Sequence, residues 1–280
     1  MLKLQTPVTD SECKVGISYK DRILMIGSCF TDNIGALLKN YGFNVCINPF
    51  GTLYNPASVT QSIKCLSDGK EFTLEDCIEI GAGDNRICSF GHHTSFARPN
   101  AEEFLRNANA RLKEAGEFFK GCNKVIITLG TSWCFRHVEK DMIVSNCLKR
   151  HPKEFSREFL HSAQTAAMLK EIINLYPDKE FIFTVSPIRH FKDGAHGNQL
   201  SKASLLLGIN ETGAEYFPAY EIMMDELRDY RFYAEDMCHP SPQAVNYIGE
   251  RFLNWALPQE ERGILEENIR AWRQGCHIVK

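Results

Sequence analysis

The clearest indication of the fold class comes from residues Ile23-Leu24-Met25-Ile26-Gly27-Ser28-Cys29-Phe30. Its first four residues form a continuous apolar run, which is typical of a strand buried on both faces of a parallel sheet. A Gly-Ser turn follows, and the next segment, Asp32–Tyr41, carries Ile34, Leu37 and Leu38 at helical spacing. A buried strand that leads directly into a helix predicts the first unit of an α/β fold.

Apolar runs and helical patterns alternate along the rest of the chain. Clear strand candidates are Lys124–Leu129 and Glu180–Val185, and weaker ones are Asn44–Ile47 and 214–217. The spacing of apolar residues predicts these helices: Ala101–Phe119, Phe155–Tyr176, one opened by Ser241-Pro242, and a charged terminal helix Glu260–Arg273. The alternation predicts a parallel sheet connected by crossover helices.

The domain organisation follows from the absence of linkers in the sequence. The 280 residues contain no internal repeat, low-complexity tract or Pro/Gly/Ser-rich linker. The region 67–99 is rich in glycine and polar residues and is interpreted as an irregular insertion or a lid. We therefore expect a single domain over 1–280, with this insertion and a C-terminal helical tail at 258–280.

Composition excludes several classes of protein. With 32 basic and 35 acidic side chains the net charge is −3, so the chain lacks the positive field of a general nucleic-acid binder. No apolar run reaches the roughly 18 residues of a membrane span. The eleven cysteines include no C-x-x-C pair, and an odd number without an apolar leader favours reduced thiols in the cytoplasm. The sequence indicates no oligomeric state.

Three of the predicted strands end in turns that carry hydroxyl groups. These turns are Gly27-Ser28-Cys29-Phe30, Gly130-Thr131-Ser132-Trp133 and Ser186-Pro187-Ile188-Arg189-His190. Ligands of open parallel sheets bind at the carboxyl ends of the strands, so these turns are the candidate site. Each of them taken alone is also ordinary turn chemistry.

Ser28 is the sharpest candidate because its hydroxyl lies between a buried strand and a helix N-terminus. Free N–H groups at such a terminus stabilise a developing oxyanion. The alternative is that Ser28 only caps the helix, as serine often does. Cys29 is a rival nucleophile, although its side chain should point away from the pocket if Ser28 points into it.

The segment Asp236-Met237-Cys238-His239-Pro240 is the best source of a base for such a serine. It lies in a loop whose far end is fixed by the helix that starts at Ser241-Pro242. A loop of this kind can present the Asp236 and His239 side chains on one side, where the acid fixes the imidazole tautomer. A plain turn with Asp236 as a local cap is the alternative.

Several motifs resemble those of one family. Gly27-Ser28-Cys29-Phe30-Thr31 resembles the sequence that names the GSCFA domain family, with Thr31 where the name has Ala. The resemblance extends over roughly 23–255 and includes 48–56, 129–133 and 185–190 in the same order. That family is similar to the SGNH hydrolases, so the resemblance implies a three-layer α/β/α, flavodoxin-like fold with a central, mostly parallel sheet.

The resemblance also implies roles for individual residues. Ser28 would be the nucleophile, His239 the general base and then acid, and Asp236 the group that orients His239. The N–H groups of Ser28 and Gly51 would form the oxyanion hole. SGNH enzymes place an Asn amide in their third block, where this chain has Ser132, so the Ser132 hydroxyl is the expected third donor. Loss of one such donor lowers kcat by about 10²–10³.

Four further residues are weaker candidates for substrate binding. Thr131 and the pair Arg189 and His190 lie at strand ends, where they could bind a sugar hydroxyl or a carboxylate. The resemblance suggests His93 near the pocket. His93 and its neighbour lack a third ligand at useful spacing, so no metal is expected.

The sequence therefore predicts a serine esterase or deacetylase that cleaves a short acyl ester of a carbohydrate or a related small molecule. An acyltransferase would use the same residues, and a catalytically degenerate binding protein is the alternative from another class. No glycine-rich phosphate loop follows any strand, so a nucleotide or flavin cofactor is not expected.

Overall fold

The computed structural model describes residues 6–9 and 12–278. Its strands in chain order are β1 (Arg22–Gly27), β2 (Asn44–Ile47), β3 (Ile78–Glu79), β4 (Ile87–Cys88), β5 (Lys124–Leu129), β6 (Trp133–His137), β7 (Met142–Val144), β8 (Phe155–Phe159), β9 (Glu180–Val185) and β10 (Glu215–Phe217). Its helices are α1 (Cys29–Asn40), α2 (Pro56–Asp68), α3 (Ala101–Lys120), α4 (Ser162–Leu175), α5 (Gly194–Asn210), α6 (Ala219–Glu221), α7 (Pro242–Ala256) and α8 (Arg262–Ile278).

The central sheet contains five parallel strands in the order β10-β9-β5-β1-β2. When these strands are counted along the chain, the order reads 2-1-3-4-5 from the β2 edge. This is the strand order of flavodoxin-like folds, in which ligands bind where the order reverses. The reversal lies between β1 and β5, so the carboxyl ends of these two strands mark the site.

Helices cover both faces of the sheet. On one face α1, α7 and α8 pack over side chains such as Met25 and Ile126. On the other face α2 to α5 pack over side chains such as Leu24 and Val125. Neighbouring residues of one strand therefore enter opposite layers, which explains why β1 and β5 are continuously apolar. The predicted three-layer α/β/α fold with a parallel central sheet is confirmed.

Two of the predicted helices differ from the observed ones. The predicted helix Phe155–Tyr176 was wrong at its start, because Phe155–Phe159 is strand β8 and the helix begins only at Ser162. Strand β8 pairs antiparallel with Trp133–His137, and β7 completes this second sheet. The terminal helix begins at Arg262 and continues to Ile278, beyond the predicted end at Arg273.

The region 67–99 includes the end of α2 and the short antiparallel pair β3 and β4. It packs around a third hydrophobic cluster, which includes Ile80, Phe90, Phe104 and Val144. A lid function, a single domain over 1–280 and a separate role for the tail at 258–280 stay predictions, and residues 279–280 lie outside the described part.

Two further observations concern the whole described chain. Within residues 6–9 and 12–278, no helix has both the length and the apolar character needed to cross a membrane. The ten cysteines whose side chains the structure describes are free thiols.

Candidate active site

The turn after β1 holds Ser28 at the N-terminus of α1. The Ser28 Oγ accepts a hydrogen bond from the Phe30 N–H at 3.3 Å, so Ser28 is the N-cap of α1. Gly27 has a φ of 147°, and a Cβ at this position would lie 2.2 Å from the carbonyl oxygen of Thr128. Only glycine fits against the neighbouring strand, and the position of Ser28 is therefore tightly fixed.

Asn48, in the loop after β2, supports this turn from the other side. Its Oδ1 accepts a hydrogen bond from the Gly27 N–H at 2.8 Å, and its Nδ2 donates one to Asp32 Oδ1 at 2.6 Å. Burial raises the pKa of the Asp32 carboxyl, while the bond from Asn48 opposes this shift. Asn48 lies in the stretch 48–56 and was not predicted as a site residue.

The Ser28 hydroxyl forms a hydrogen bond with a second serine. Ser28 Oγ donates to Ser186 Oγ at 3.0 Å, and both residues are fully buried. Ser186 directly follows β9, where its N–H donates to the Leu129 carbonyl oxygen at 2.8 Å. Ser186 was predicted only as part of a strand-end turn, and its contact with Ser28 was not foreseen.

Asp236 and His239 form the expected pair in the loop before α7. Asp236 Oδ2 lies 2.5 Å from His239 Nδ1, and Asp236 Oδ1 accepts hydrogen bonds from the N–H groups of Cys238 and His239, both at 2.9 Å. These bonds lower the pKa of Asp236 to about 2. The ionised carboxylate fixes the Nδ1–H tautomer and leaves Nε2 as a base. The imidazole is half exposed, at 49%.

His190 has a strongly perturbed pKa. Burial, followed by the charges of Lys202 and His239, lowers the pKa of His190 to about 4. Its N–H donates to Asn198 Oδ1 at 2.9 Å. Ser28 donates to Ser186 rather than to His239, so the described structure does not show the Ser–His hydrogen bond that catalysis requires.

The three expected oxyanion donors already have acceptors within the protein. The Ser28 N–H donates to the Thr128 carbonyl at 3.2 Å, and the Gly51 N–H donates to the Asn48 carbonyl at 2.8 Å. Ser132 is fully buried, and its Oγ donates to the Ser201 carbonyl at 3.0 Å. The geometry does not support the Ser132 prediction, because this hydroxyl connects the turn after β5 to α5.

The family of the chain follows from comparison with known sequences. Residues 22–252 match the GSCFA family. The chain belongs to the GSCFA family. No curated protein matches this GSCFA chain at a significant level.

One solved structure resembles the GSCFA chain at 14% sequence identity with a TM-score of 0.41. It is a mutant of Axe2, an acetyl-xylooligosaccharide esterase from Geobacillus stearmophilus. The likeness covers 88% of this chain and 98% of that one. At this low score it does not extend the esterase activity to the GSCFA chain.

A cleft of about 450 Å³ lies on the β2 side of the Ser28 turn. Its polar and charged lining residues include Asp32, Asn48, Gly51, His93, Arg98 and Arg111. Gly51 has a φ of 80°, and a Cβ there would lie 2.4 Å from the His93 Cβ. His93 therefore packs against Gly51 in this cleft. Thr131, Arg189 and His190 do not line it.

The remaining candidates make local contacts in the GSCFA protein. Thr131 Oγ1 lies 3.1 Å from Ser201 Oγ, and the guanidinium of Arg189 lies 5.4 Å from the centre of the Phe191 ring. Burial, followed by the charge of Asp32, raises the pKa of the Cys29 thiol. Cys29 is therefore a weak rival to Ser28, because thiols react as thiolates.

Across the part of the chain that the structure describes, no group of three or more His, Cys, Asp or Glu residues could hold a metal ion.

Proposed function

We propose that this GSCFA protein is a serine hydrolase in which Ser28 is the nucleophile, His239 the general base and Asp236 the residue that orients it. The observation that carries the proposal is the short contact between Asp236 Oδ2 and His239 Nδ1. It fixes one imidazole nitrogen and leaves the other available to a serine, as the triad arrangement requires.

The reaction starts with an exchange of hydrogen bonds. Ser28 Oγ turns its proton from Ser186 to His239 Nε2, and Ser186 then donates its own hydroxyl to Ser28 Oγ. Ser28 Oγ attacks the ester carbonyl while His239 takes the proton. The protonated His239 gives this proton to the leaving alkoxide, and the acyl group stays on Ser28. Water, activated by His239, then releases the carboxylic acid.

A donor for the tetrahedral intermediate comes from α1 in this proposal. Cys29 is the first residue of this helix, and first-turn N–H groups have no acceptor within their own helix. The Cys29 N–H directly follows the nucleophile, and the helix dipole adds positive potential at the same point. It can take the role that the N–H groups of Ser28 and Gly51 were expected to have.

The cleft beside Gly51 is the proposed place for the substrate. Its polar lining, with His93 at the edge, suits a carbohydrate or a related small molecule that carries a short acyl ester such as an acetyl group. Transfer of the acyl group to a sugar hydroxyl instead of water would use the same residues. A cytoplasmic location remains a prediction from the free cysteines.

A binding protein without catalysis is the second candidate. The observation that favours it is the complete burial of Ser28, whose hydroxyl is bonded to Ser186 instead of His239. In that case the same cleft would bind its ligand without cleaving it.

Labelling with a fluorophosphonate probe distinguishes the two candidates. We expect the native protein to be labelled, and we expect Ser28→Ala and His239→Ala to abolish labelling while the melting temperature is retained. His196→Ala is the matched control, because His196 is an exposed histidine that has no part in the proposed reaction. A native protein that stays unlabelled, or labelling that survives Ser28→Ala, contradicts the hydrolase proposal.

A further inference from the structure

Lys202 of α5 is a buried cation beneath the proposed active site. Its side chain is 1% exposed. Nζ donates hydrogen bonds to the carbonyl oxygen of Gly130 at 2.8 Å and to that of Ser186 at 2.9 Å. These carbonyls follow β5 and β9 directly, so one ammonium group joins the carboxyl ends of two central strands.

Lys202 does not need to be a lysine for packing. Burying an ammonium group away from water is costly, and an apolar side chain of similar length would fill the same space. Burial lowers the pKa of Lys202 to about 7, which shows how unfavourable the charge is at this position. A costly charge at the edge of a candidate site indicates a role in that site.

The charged and titratable groups around Lys202 come from three parts of the chain: α1, α6 and the loop after β9. Cys29 at the start of α1 and Glu221 of α6 raise its pKa. The Tyr220 ring lies 5.2 Å from Nζ, and Lys202 in turn lowers the pKa of His190. Because Lys202 Nζ donates to the carbonyl of Ser186, and Ser186 Oγ accepts from Ser28 Oγ at 3.0 Å, only one residue separates the Lys202 charge from the proposed nucleophile.

We propose that Lys202 is a positioning residue for Ser28: by holding the Ser186 carbonyl, its ammonium group keeps Ser186 Oγ against Ser28 Oγ at the switch point of the sheet. This inference rests on the proposed hydrolase function and adds a residue to it. The fixed positive charge also favours the negative charge that develops on Ser28 Oγ when its proton moves to His239.

The test compares the pH dependence of fluorophosphonate labelling in variants of the full chain. In the native protein we expect the rate to fall through about pH 7 as Lys202 becomes neutral. Lys202→Met should label at least about tenfold more slowly at pH 7, and its falling limb should disappear. Lys202→Gln, which keeps a donor without the charge, should recover part of the rate but not the limb.

Lys179→Met is the matched control. Lys179 is also buried, at 7% exposure, and Nζ donates to the Cys122 carbonyl at 3.0 Å, but it lies at the amino end of the sheet. This variant removes a buried lysine and a bond to a backbone carbonyl without touching the site. We expect the native rate and the native pH profile, even if its melting temperature falls.

The outcomes separate the two proposals. If the native protein labels and folded Lys202→Met shows the native rate and pH profile, the inference is overturned and the hydrolase proposal stands. If the native protein does not label, the hydrolase proposal fails, and this inference fails with it. If neither Lys202 variant folds, the native profile decides, because a plateau through pH 9 overturns the role of Lys202.

Discussion

Ser28 Oγ donates to Ser186 Oγ at 3.0 Å across β5, the strand that separates their own strands β1 and β9. The two hydroxyls form a pair in which either oxygen can donate, because hydroxyl hydrogens rotate to suit their partners. The pair therefore gives Ser28, the proposed nucleophile, one fixed neighbour that accepts its hydrogen bond in the resting state and can donate one to its oxygen during attack.

The hydroxyl of Ser186 is expected to contribute to the reaction rate. Ser186→Ala should slow fluorophosphonate labelling of Ser28 by about 10- to 100-fold, because the nucleophile loses a donor and becomes free to rotate. Ser204→Ala is the control, since Ser204 is also buried and its Oγ donates to the Leu160 carbonyl at 2.7 Å, outside the site. Equal labelling of Ser186→Ala and the native protein would contradict the expectation.

Asp236 should affect catalysis without affecting folding. Asp236→Asn keeps the shape of the side chain but removes the charge that fixes the His239 tautomer, and in a serine triad this change lowers the rate by about 10⁴. We expect a loss of two to four orders of magnitude in labelling rate. The melting temperature should change little, because the loop is exposed.

Asp229→Asn is the comparison for this experiment. Asp229 is a second exposed aspartate of the same region, and its pKa is likewise lowered to about 2, by Arg231. If both variants label at the same rate, Asp236 has no special part in the reaction.

The close contact between Gly51 and His93 should be detectable in the free energy of unfolding of a Gly51 variant. Gly51→Ala and Gly69→Ala each place a side chain in the left-handed region, at φ of 80° and 62°, which costs about 1–2 kcal/mol. An added Cβ at Gly69 meets no atom within 4 Å, whereas at Gly51 it meets His93. We expect denaturant unfolding to show an additional loss of about 1–3 kcal/mol for Gly51→Ala. Equal losses would show that the loop relaxes freely.

His92 should make the protein less stable in acid. It is fully buried among the rings of Phe50, Phe72, Phe96 and Phe104, and burial lowers its pKa to about 3. Between this value and the ordinary value of about 6.5, the unfolded chain binds the extra proton. The free energy of unfolding therefore falls as the pH is lowered through this window, by up to about 1.4 kcal/mol per pH unit.

Thermal unfolding from pH 7 to 4 measures this effect. His92→Gln should lose less stability than the native protein over the range, and His196→Gln should follow the native curve because His196 is exposed. His92→Gln keeps some acid sensitivity, because His190 makes a second contribution of the same sign through its pKa of about 4. Parallel curves for His92→Gln and the native protein would exclude His92 as a source of acid sensitivity.

Local patterns were sufficient to predict most of the central sheet. The apolar runs at 23–26, 124–129 and 180–185 are strands because each one is buried on both faces, and this burial is visible in the sequence itself. Strand β8 was taken for a helix because its partner, Trp133–His137, is distant in the chain. Helix α5 was not predicted, since its buried face has helical spacing but carries polar residues such as Asn198, Ser201 and Lys202 and so shows no apolar stripe.

The candidate site also contains features that a local sequence motif predicts and features that depend on distant segments. The place of Ser28 at the start of α1 and the contact between Asp236 and His239 could be predicted, because each depends on a short motif next to a helix start. The contacts of Ser186 and Lys202 could not be predicted, because they depend on which strand ends lie side by side. The same holds for Ser132, whose hydroxyl is bonded to an α5 that the sequence patterns did not show.

The order of the sheet has a consequence for the protein during its synthesis on the ribosome. Strand β1 is completed early, but its partner β5 follows about a hundred residues later, and Ser186 is 158 residues from Ser28. Pairings between such distant segments form late in folding. A nascent or truncated chain that ends before β9 thus carries Ser28 without Ser186, so the proposed active site is complete only after most of the chain has been translated.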